Sequence, residues 1–116
     1  MKIDEARKER TIELGFANLT EVPPGVLELD NLVELFLPIN QIPELPIALF
    51  NLRDLQDLCL EDNQLVSLPS QVGKLTNLST LTLQQNKLTG LPSEIGKLFR
   101  LQVRPSPPPL SRLESR

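Results

Sequence analysis

The stretch LEDNQLVSLPSQVGKLTNLSTLTLQQNKLTGLPSEIGKL, residues 60–98, contains the phrase NxLxxLPxxxGKL twice, first from Asn63 and again from Asn86. The same step continues upstream, where one proline recurs every 23 residues, at Pro23, Pro46, Pro69 and Pro92. A constant period of about 20 to 50 residues is typical of solenoid proteins. Most of this chain of 116 residues is therefore predicted to be one stacked repeat.

Three nearly complete units follow from this period, at residues 32–54, 55–77 and 78–100, after a partial first unit. Near their starts stand LVELFL, LQDLCL and LSTLTL, which end in an alternation of apolar and variable residues. Such alternation is typical of a short strand with one buried face. Because a single strand cannot bury its leucines alone, the units are predicted to stack with their strands in a parallel sheet.

The ninth place of each complete unit is an asparagine, at Asn40, Asn63 and Asn86. An amide side chain carries two donors and an acceptor, so it can satisfy backbone groups where a strand bends into a loop. These residues are predicted to form a structural ladder. In the first unit Ala17 stands at this place, and Asn18 comes one residue late, so Asn18 is not expected to bond in the same way.

The consensus LxxLxLxxNxLxxLPxxIxxLxx resembles the leucine-rich repeat, and its length of 23 residues with "LP" resembles the intracellular Ras-group-related type. Ras suppressor proteins and the repeat domains of Roco proteins are similar. The resemblance covers residues 11–101. It implies an α/β leucine-rich-repeat solenoid of about four repeats, with a parallel β-sheet on its concave face. It also implies a binding scaffold without chemistry of its own.

The two ends depart from the repeat. Residues 1–10 are charged, with acids early and bases late, which suits a polar helix that caps the core, while residues 11–103 form the predicted solenoid. Residues 104–116 are rich in proline and are predicted to be disordered, although Pro105-x-x-Pro108 is also a minimal PxxP ligand motif. The sequence therefore predicts an uncapped apolar end, formed by Leu83, Leu88, Leu91, Ile95 and Leu98. An exposed apolar end of this kind has three alternative explanations. Either the tail folds back over it, or a second molecule pairs there, or the chain is a shortened product of a longer repeat protein.

Composition argues against catalysis. The sequence has no histidine and one cysteine, Cys59, so a nucleophile paired with a base has no candidate. The dipeptide Gly73-Lys74 lacks the spacing of a phosphate-binding loop and occupies a repeat position. We therefore predict no catalytic residue, no metal site, no cofactor and no enzymatic activity.

Charge and segment composition limit the partner and the location. The net charge is −3 and no cluster of Lys or Arg is present, which argues against nucleic acid or an anionic membrane as the partner. The start MKIDEARKER lacks the apolar run of a secretion signal, and a single cysteine fits a reducing compartment. We expect a cytoplasmic protein.

The predicted concave face carries two features that favour protein binding. One is apolar, because Phe16, Phe36, Ile39 and Cys59 occupy outward places of neighbouring units. The alternative is that these side chains only pack against each other or against the cap. The other is acidic, and it would attract a basic or amphipathic partner. The predicted partner-binding residues are Glu13, Phe16, Glu34, Phe36, Ile39, Asp57, Cys59, Glu61 and Asp62.

The sequence leaves two functional hypotheses. The first is a non-catalytic adaptor in signal transduction that binds a partner protein on the concave face; the resemblance implies a small GTPase or another signalling protein as that partner. The alternative is a fragment or isoform of a larger multi-domain repeat protein, with a kinase or GTPase domain elsewhere and a structural role here. Self-association through the open end would support the alternative.

Overall fold

The computed structural model describes residues 10–101 of the chain. Four short strands lie in this range, β1 (Thr11–Glu13), β2 (Glu34–Phe36), β3 (Asp57–Cys59) and β4 (Thr80–Thr82). They pair in parallel in the order β1-β2-β3-β4. Each residue pairs with the residue 23 positions later, as Leu35 does with Leu58. The predicted parallel sheet of about four repeats is thus confirmed.

The segments that return from one strand to the next each contain a 3₁₀ helix of five residues. These helices are η1 (Pro24–Glu28), η2 (Ile47–Asn51), η3 (Ser70–Lys74) and η4 (Ser93–Lys97). The repeated proline lies immediately before each of them, and the carbonyl oxygen of Pro23 accepts the first bond, 3.0 Å from the nitrogen of Val26. Proline fixes φ in an extended or turn value and ends the strand direction, so the chain turns outward at the same point of every repeat.

The core lies between the strands and the 3₁₀ helices. Its members are the inward residues of the strands, the leucines that flank them and the apolar residues of the helices, including Ile12, Leu35, Leu58, Val26, Leu49, Phe50 and Val72. Equivalent leucines of neighbouring repeats form columns because the register repeats at 23 residues. Burial of a leucine or valine side chain contributes about 1.5–3 kcal/mol, and here each one depends on the adjacent repeat.

The C-terminal end of this core is less open than the sequence predicted. Leu98 is only 4% exposed, because η4 packs against η3 and closes the last repeat from the outer side. Leu83, Leu88 and Ile95 are half-buried against the core, whereas Leu91 is 55% exposed. The expectation of a fully uncovered end was therefore wrong for Leu98.

The structure does not describe every segment for which the sequence made a prediction. All of the predicted cap helix except Arg10, the last residues of the predicted solenoid and the Pro-rich tail lie outside the described residues. Within residues 10–101, no helix is long and apolar enough to cross a membrane.

Candidate functional site

The outward side chains of the strands form one continuous surface, which we call the open face of the sheet. Because side chains alternate along a strand, the middle residue of each strand points into the core and its two neighbours point away. The parallel register then aligns these neighbours in two rows. The first row is Thr11, Glu34, Asp57 and Thr80, and the second is Glu13, Phe36, Cys59 and Thr82.

Glu34 and Asp57 place two carboxylates side by side in the first row. The hydroxyl of Thr11 donates a hydrogen bond of 2.8 Å to Oε1 of Glu34 and so orients that side chain. Partial burial, and then the charge of Glu34, raise the pKa of Asp57 above its ordinary value. Like charges opposite each other in a sheet are unfavourable, so this pair is suited to a cation supplied by another molecule.

Cys59 lies in the second row beside the same carboxylates. Burial is the main cause that raises the pKa of its thiol; the negative charges of Glu61, Asp57 and Glu13 raise it further, while a hydrogen bond to the backbone of Glu61 lowers it. The combined effect holds the sulfur as a neutral thiol. A nucleophile requires the thiolate, so the geometry makes Cys59 a small, uncharged part of an acidic surface.

The apolar residues of the site lie toward the end of the strands. Phe36 is half-buried in the second row, while Ile39 and Phe16 are 38% and 78% exposed in the loops that follow β2 and β1. Packing against neighbours therefore does not hide Phe16, whereas Phe36 and Ile39 are partly covered. Both Phe16 and Ile39 have a left-handed backbone, with φ of 56° and 57°.

The asparagine ladder fixes the loops that carry these residues. Nδ2 of Asn63 donates to the carbonyl oxygens of Leu37 at 2.9 Å and Leu60 at 3.1 Å, and its Oδ1 accepts from the backbone nitrogen of Ile42 at 3.1 Å. Each amide therefore binds its own strand end and the loop of the preceding repeat. This arrangement holds adjacent loops in register.

Asn40 and Asn86 make the same contacts in their repeats. Oδ1 of Asn40 accepts from the nitrogens of Ala17 and Leu19, and Oδ1 of Asn86 accepts from the nitrogen of Leu65. The ladder predicted from the sequence is thus present. An amide at position 17 would donate to the carbonyl oxygen of Leu14 within its own repeat, and that oxygen still accepts from Nδ2 of Asn40 at 3.0 Å.

The structure brings all nine predicted partner-binding residues to one side of the molecule. Glu13, Glu34, Phe36, Asp57 and Cys59 lie on the strands, and Phe16, Ile39, Glu61 and Asp62 lie in the loops directly after them. None of the Lys or Arg residues among residues 10–101 lies at the third, fifth, seventh or eighth place of a repeat. The binding role of the nine residues stays a prediction.

The sequence analysis missed two features. The first is the left-handed backbone at the eighth place of all four repeats, for which Asp62 gave a weak signal because aspartate tolerates this conformation. The second is an open cleft of about 490 Å³ on the loops before η1 and η2, lined by prolines and by the equivalent residues Glu21 and Glu44. Residues 10–101 contain no group of three or more potential ligand side chains placed to hold a metal ion.

Solved structures show what the chain is similar to. A leucine-rich-repeat protein of Leptospira interrogans matches 85% of this chain and 32% of its own, with 32% identity and a TM-score of 0.60. The leucine-rich-repeat ectodomain of the receptor kinase SOBIR1 from Arabidopsis thaliana matches 78% of this chain and 51% of its own, with 28% identity and a TM-score of 0.69. No protein-family model matches, and no curated protein matches significantly.

The leucine-rich-repeat fold is therefore confirmed, and it is shared with proteins of which this chain spans about a third and about a half. The comparisons support a protein-interaction scaffold in general, of a fold whose members are typically non-catalytic. They do not confirm the Ras-group-related type of repeat.

Proposed function

We propose that this chain is a non-catalytic adaptor that binds a basic or amphipathic partner protein on the open face of its sheet, around Phe36 and Asp57. The supporting observation is the pairing of Glu34 with Asp57 beside Phe36, on a face from which the Lys and Arg residues of the described range are absent. An apolar anchor next to uncompensated carboxylates is complementary to a cationic, partly apolar surface.

The cellular setting belongs to the same proposal. The resemblance of the repeat consensus to the Ras-group type favours a role in signal transduction linked to a small GTPase. A location in the cytoplasm is supported by Cys59, which is a free cysteine and needs no oxidising compartment. No nucleic acid, membrane, metal or cofactor enters the proposed function.

The test is affinity capture from a cell lysate with the wild-type chain and a Phe36→Ala/Asp57→Lys variant, at low and high salt. A matched control is Ile47→Ala/Glu28→Lys, which removes an apolar side chain that is 57% exposed on η2 and reverses an exposed charge on η1, away from the open face. Circular dichroism first establishes that all three chains fold.

Proteins that bind the wild type and the control, weaken with salt and are lost with the open-face variant would support the adaptor. Equal capture by all three chains would contradict it, because the open face would then have no part in binding.

A second proposal is that the chain has a structural role within a longer repeat protein. If so, the chain is expected to self-associate. Its supporting observation is the exposed apolar surface of the last repeat, where Leu91 and Phe99 are 55% and 75% exposed. Sedimentation over a wide concentration range tests it, with a Leu91→Ser/Phe99→Ser variant as comparison. A wild type that stays monomeric throughout contradicts it.

A further inference from the structure

The eighth place of the repeat, just before the ladder, has the same backbone conformation in all four units. Its φ is 56° at Phe16, 57° at Ile39, 59° at Asp62 and 61° at Gln85. For an L-residue this left-handed conformation is energetically unfavourable, and it is rarest for bulky and β-branched residues. Asparagine, aspartate and glycine tolerate it best. Repeats 3 and 4 place polar residues here, whereas repeats 1 and 2 place a phenylalanine and an isoleucine.

Packing does not account for these two residues. Phe16 is 78% exposed, so little apolar burial offsets its backbone cost, and Ile39, which is 38% exposed, gains only part of the burial of a core side chain. They lie on adjacent repeats at the same edge of the sheet, where the nitrogen of Phe16 donates to the carbonyl oxygen of Pro38 at 3.2 Å. We call the surface formed by Phe16 and Ile39 the ledge. Strained residues are typically retained where they contribute to function.

The charges around the ledge specify what fits it. Glu61 and Asp62 follow β3 at the places next to Pro38 and Ile39, and the nitrogen of Ile39 donates to the carbonyl oxygen of Glu61 at 2.9 Å. Further along the open face, Glu34 and Asp57 form the carboxylate pair. An apolar group that approaches the ledge therefore meets carboxylates on the same side, so cationic neighbours of that group are favoured.

We propose that the ledge seats one large apolar side chain of an extended, basic segment of a partner protein, and that the same segment places an arginine or lysine between Glu34 and Asp57. This inference rests on the proposed function and names its ligand more closely. Glu34 and Ile39 are separated by five positions, which corresponds to at most about 16 Å along a strand. An extended ligand spans this distance with about five residues, so the basic and apolar residues are expected at that spacing.

Synthetic peptides provide the probe. One fluorescein-labelled peptide carries a single Arg and a single Trp about five positions apart in a Ser/Gly background, and a second, of equal composition, carries them adjacent. Fluorescence anisotropy measures their affinity for the full chain. The ledge variant is Phe16→Asn/Ile39→Asn, and the matched control is Gln85→Asn at the same place of repeat 4.

We expect the spaced peptide to bind the wild type at least several-fold more tightly than the adjacent one. The ledge variant is expected to lose about tenfold or more in affinity, as removal of an interface anchor does. Its urea midpoint should rise, because asparagine fits a left-handed backbone better than phenylalanine or isoleucine. A merely structural role of the two residues predicts no loss of affinity in a more stable protein. Gln85→Asn should leave affinity unchanged.

The outcomes separate this inference from the proposed function. If the ledge variant binds as the wild type does while Phe36→Ala/Asp57→Lys does not bind, the ledge is refuted and the adaptor stands. If the spaced and adjacent peptides bind equally, the proposed spacing is wrong. If no variant changes binding, or neither peptide binds, both the ledge and the basic partner are refuted.

Discussion

Replacement of Asn63 by alanine should show how much one member of the ladder contributes to stability. Asn63 is 3% exposed, and the carbonyl oxygens that it binds keep second donors, since Asn40 also donates to Leu37 and Asn86 also donates to Leu60. The nitrogen of Ile42 has no such substitute among the described residues, and Ile42 is fully buried. The central cost of Asn63→Ala is therefore one orphaned buried N–H.

An unsatisfied buried donor costs about 1–3 kcal/mol, and each of the two weakened carbonyl contacts adds about 0.5–1 kcal/mol. We expect Asn63→Ala to lower the free energy of unfolding by about 2–5 kcal/mol. Asn86→Ala is the matched control, because its amide makes equivalent bonds to Leu65 and Leu60 but is only half-buried. Water can replace a half-exposed amide, so its cost should be about 1 kcal/mol.

Urea unfolding followed by far-ultraviolet circular dichroism is the assay, since the sequence contains neither Trp nor Tyr for fluorescence. If Asn63→Ala is unfolded in buffer, refolding driven by trimethylamine oxide gives its stability instead. Equal costs for the two variants, or a cost below about 1 kcal/mol for Asn63→Ala, would refute the assignment of the ladder as a buried support.

Three further predictions use matched positions. Gly73→Ala should be about 1 kcal/mol less stable than Gly96→Ala in thermal or urea unfolding. The reason is that a Cβ added at Gly73 would lie 3.1 Å from the backbone oxygen of Glu94, whereas a Cβ added at Gly96 has no atom within 4 Å. Asp57→Asn should stabilise the fold at pH 7 by about 0.2–0.5 kcal/mol, and the gain should vanish below the ordinary carboxyl pKa, because the raised pKa makes the charged form of Asp57 the unfavourable one. The same Asp57→Asn change should speed alkylation of Cys59 by iodoacetamide, because loss of a negative charge lowers the thiol pKa, whereas Gly96→Ala should leave the rate unchanged. A pH-independent gain, or an unaltered alkylation rate, would contradict the electrostatic account of the open face.

The repeat period was sufficient to predict the sheet and its register. A spacing of 23 residues aligns Leu35 with Leu58 whatever the detailed shape of the loops. The residues that line the open face could therefore be predicted directly from the sequence. The roles of Asn40, Asn63 and Asn86 were predictable for the same reason, since a buried amide at each strand end has few partners other than the backbone.

Other features depend on contacts that no local pattern encodes. Phe16 and Ile39 favour extended conformations by propensity, and only the ladder bonds of the next residue and the pairing of adjacent loops hold them in the left-handed region. The burial of Leu98 depends on how η4 packs against η3, which includes the close approach of Glu94 to Gly73. Such tertiary contacts override the prediction from position alone.

The four repeats share one interior but differ on the open face of the sheet. The open-face residues of repeat 4 are uncharged, as Thr80 and Thr82 show, whereas the carboxylates and the ledge belong to repeats 1 to 3.

Repeat 4 nevertheless holds β3, the last strand that carries predicted binding residues, in place. Thr82 accepts the hydrogen bond of Leu60 at 2.8 Å, and Gln84 accepts that of Asp62 at 2.8 Å. Without these acceptors β3 would be an edge strand with unpaired backbone groups, and edge strands are prone to pair with other chains. Repeat 4, whose open-face residues are uncharged, therefore keeps Asp57 and Cys59 inside a paired sheet, and Asp57 remains part of a defined acidic surface.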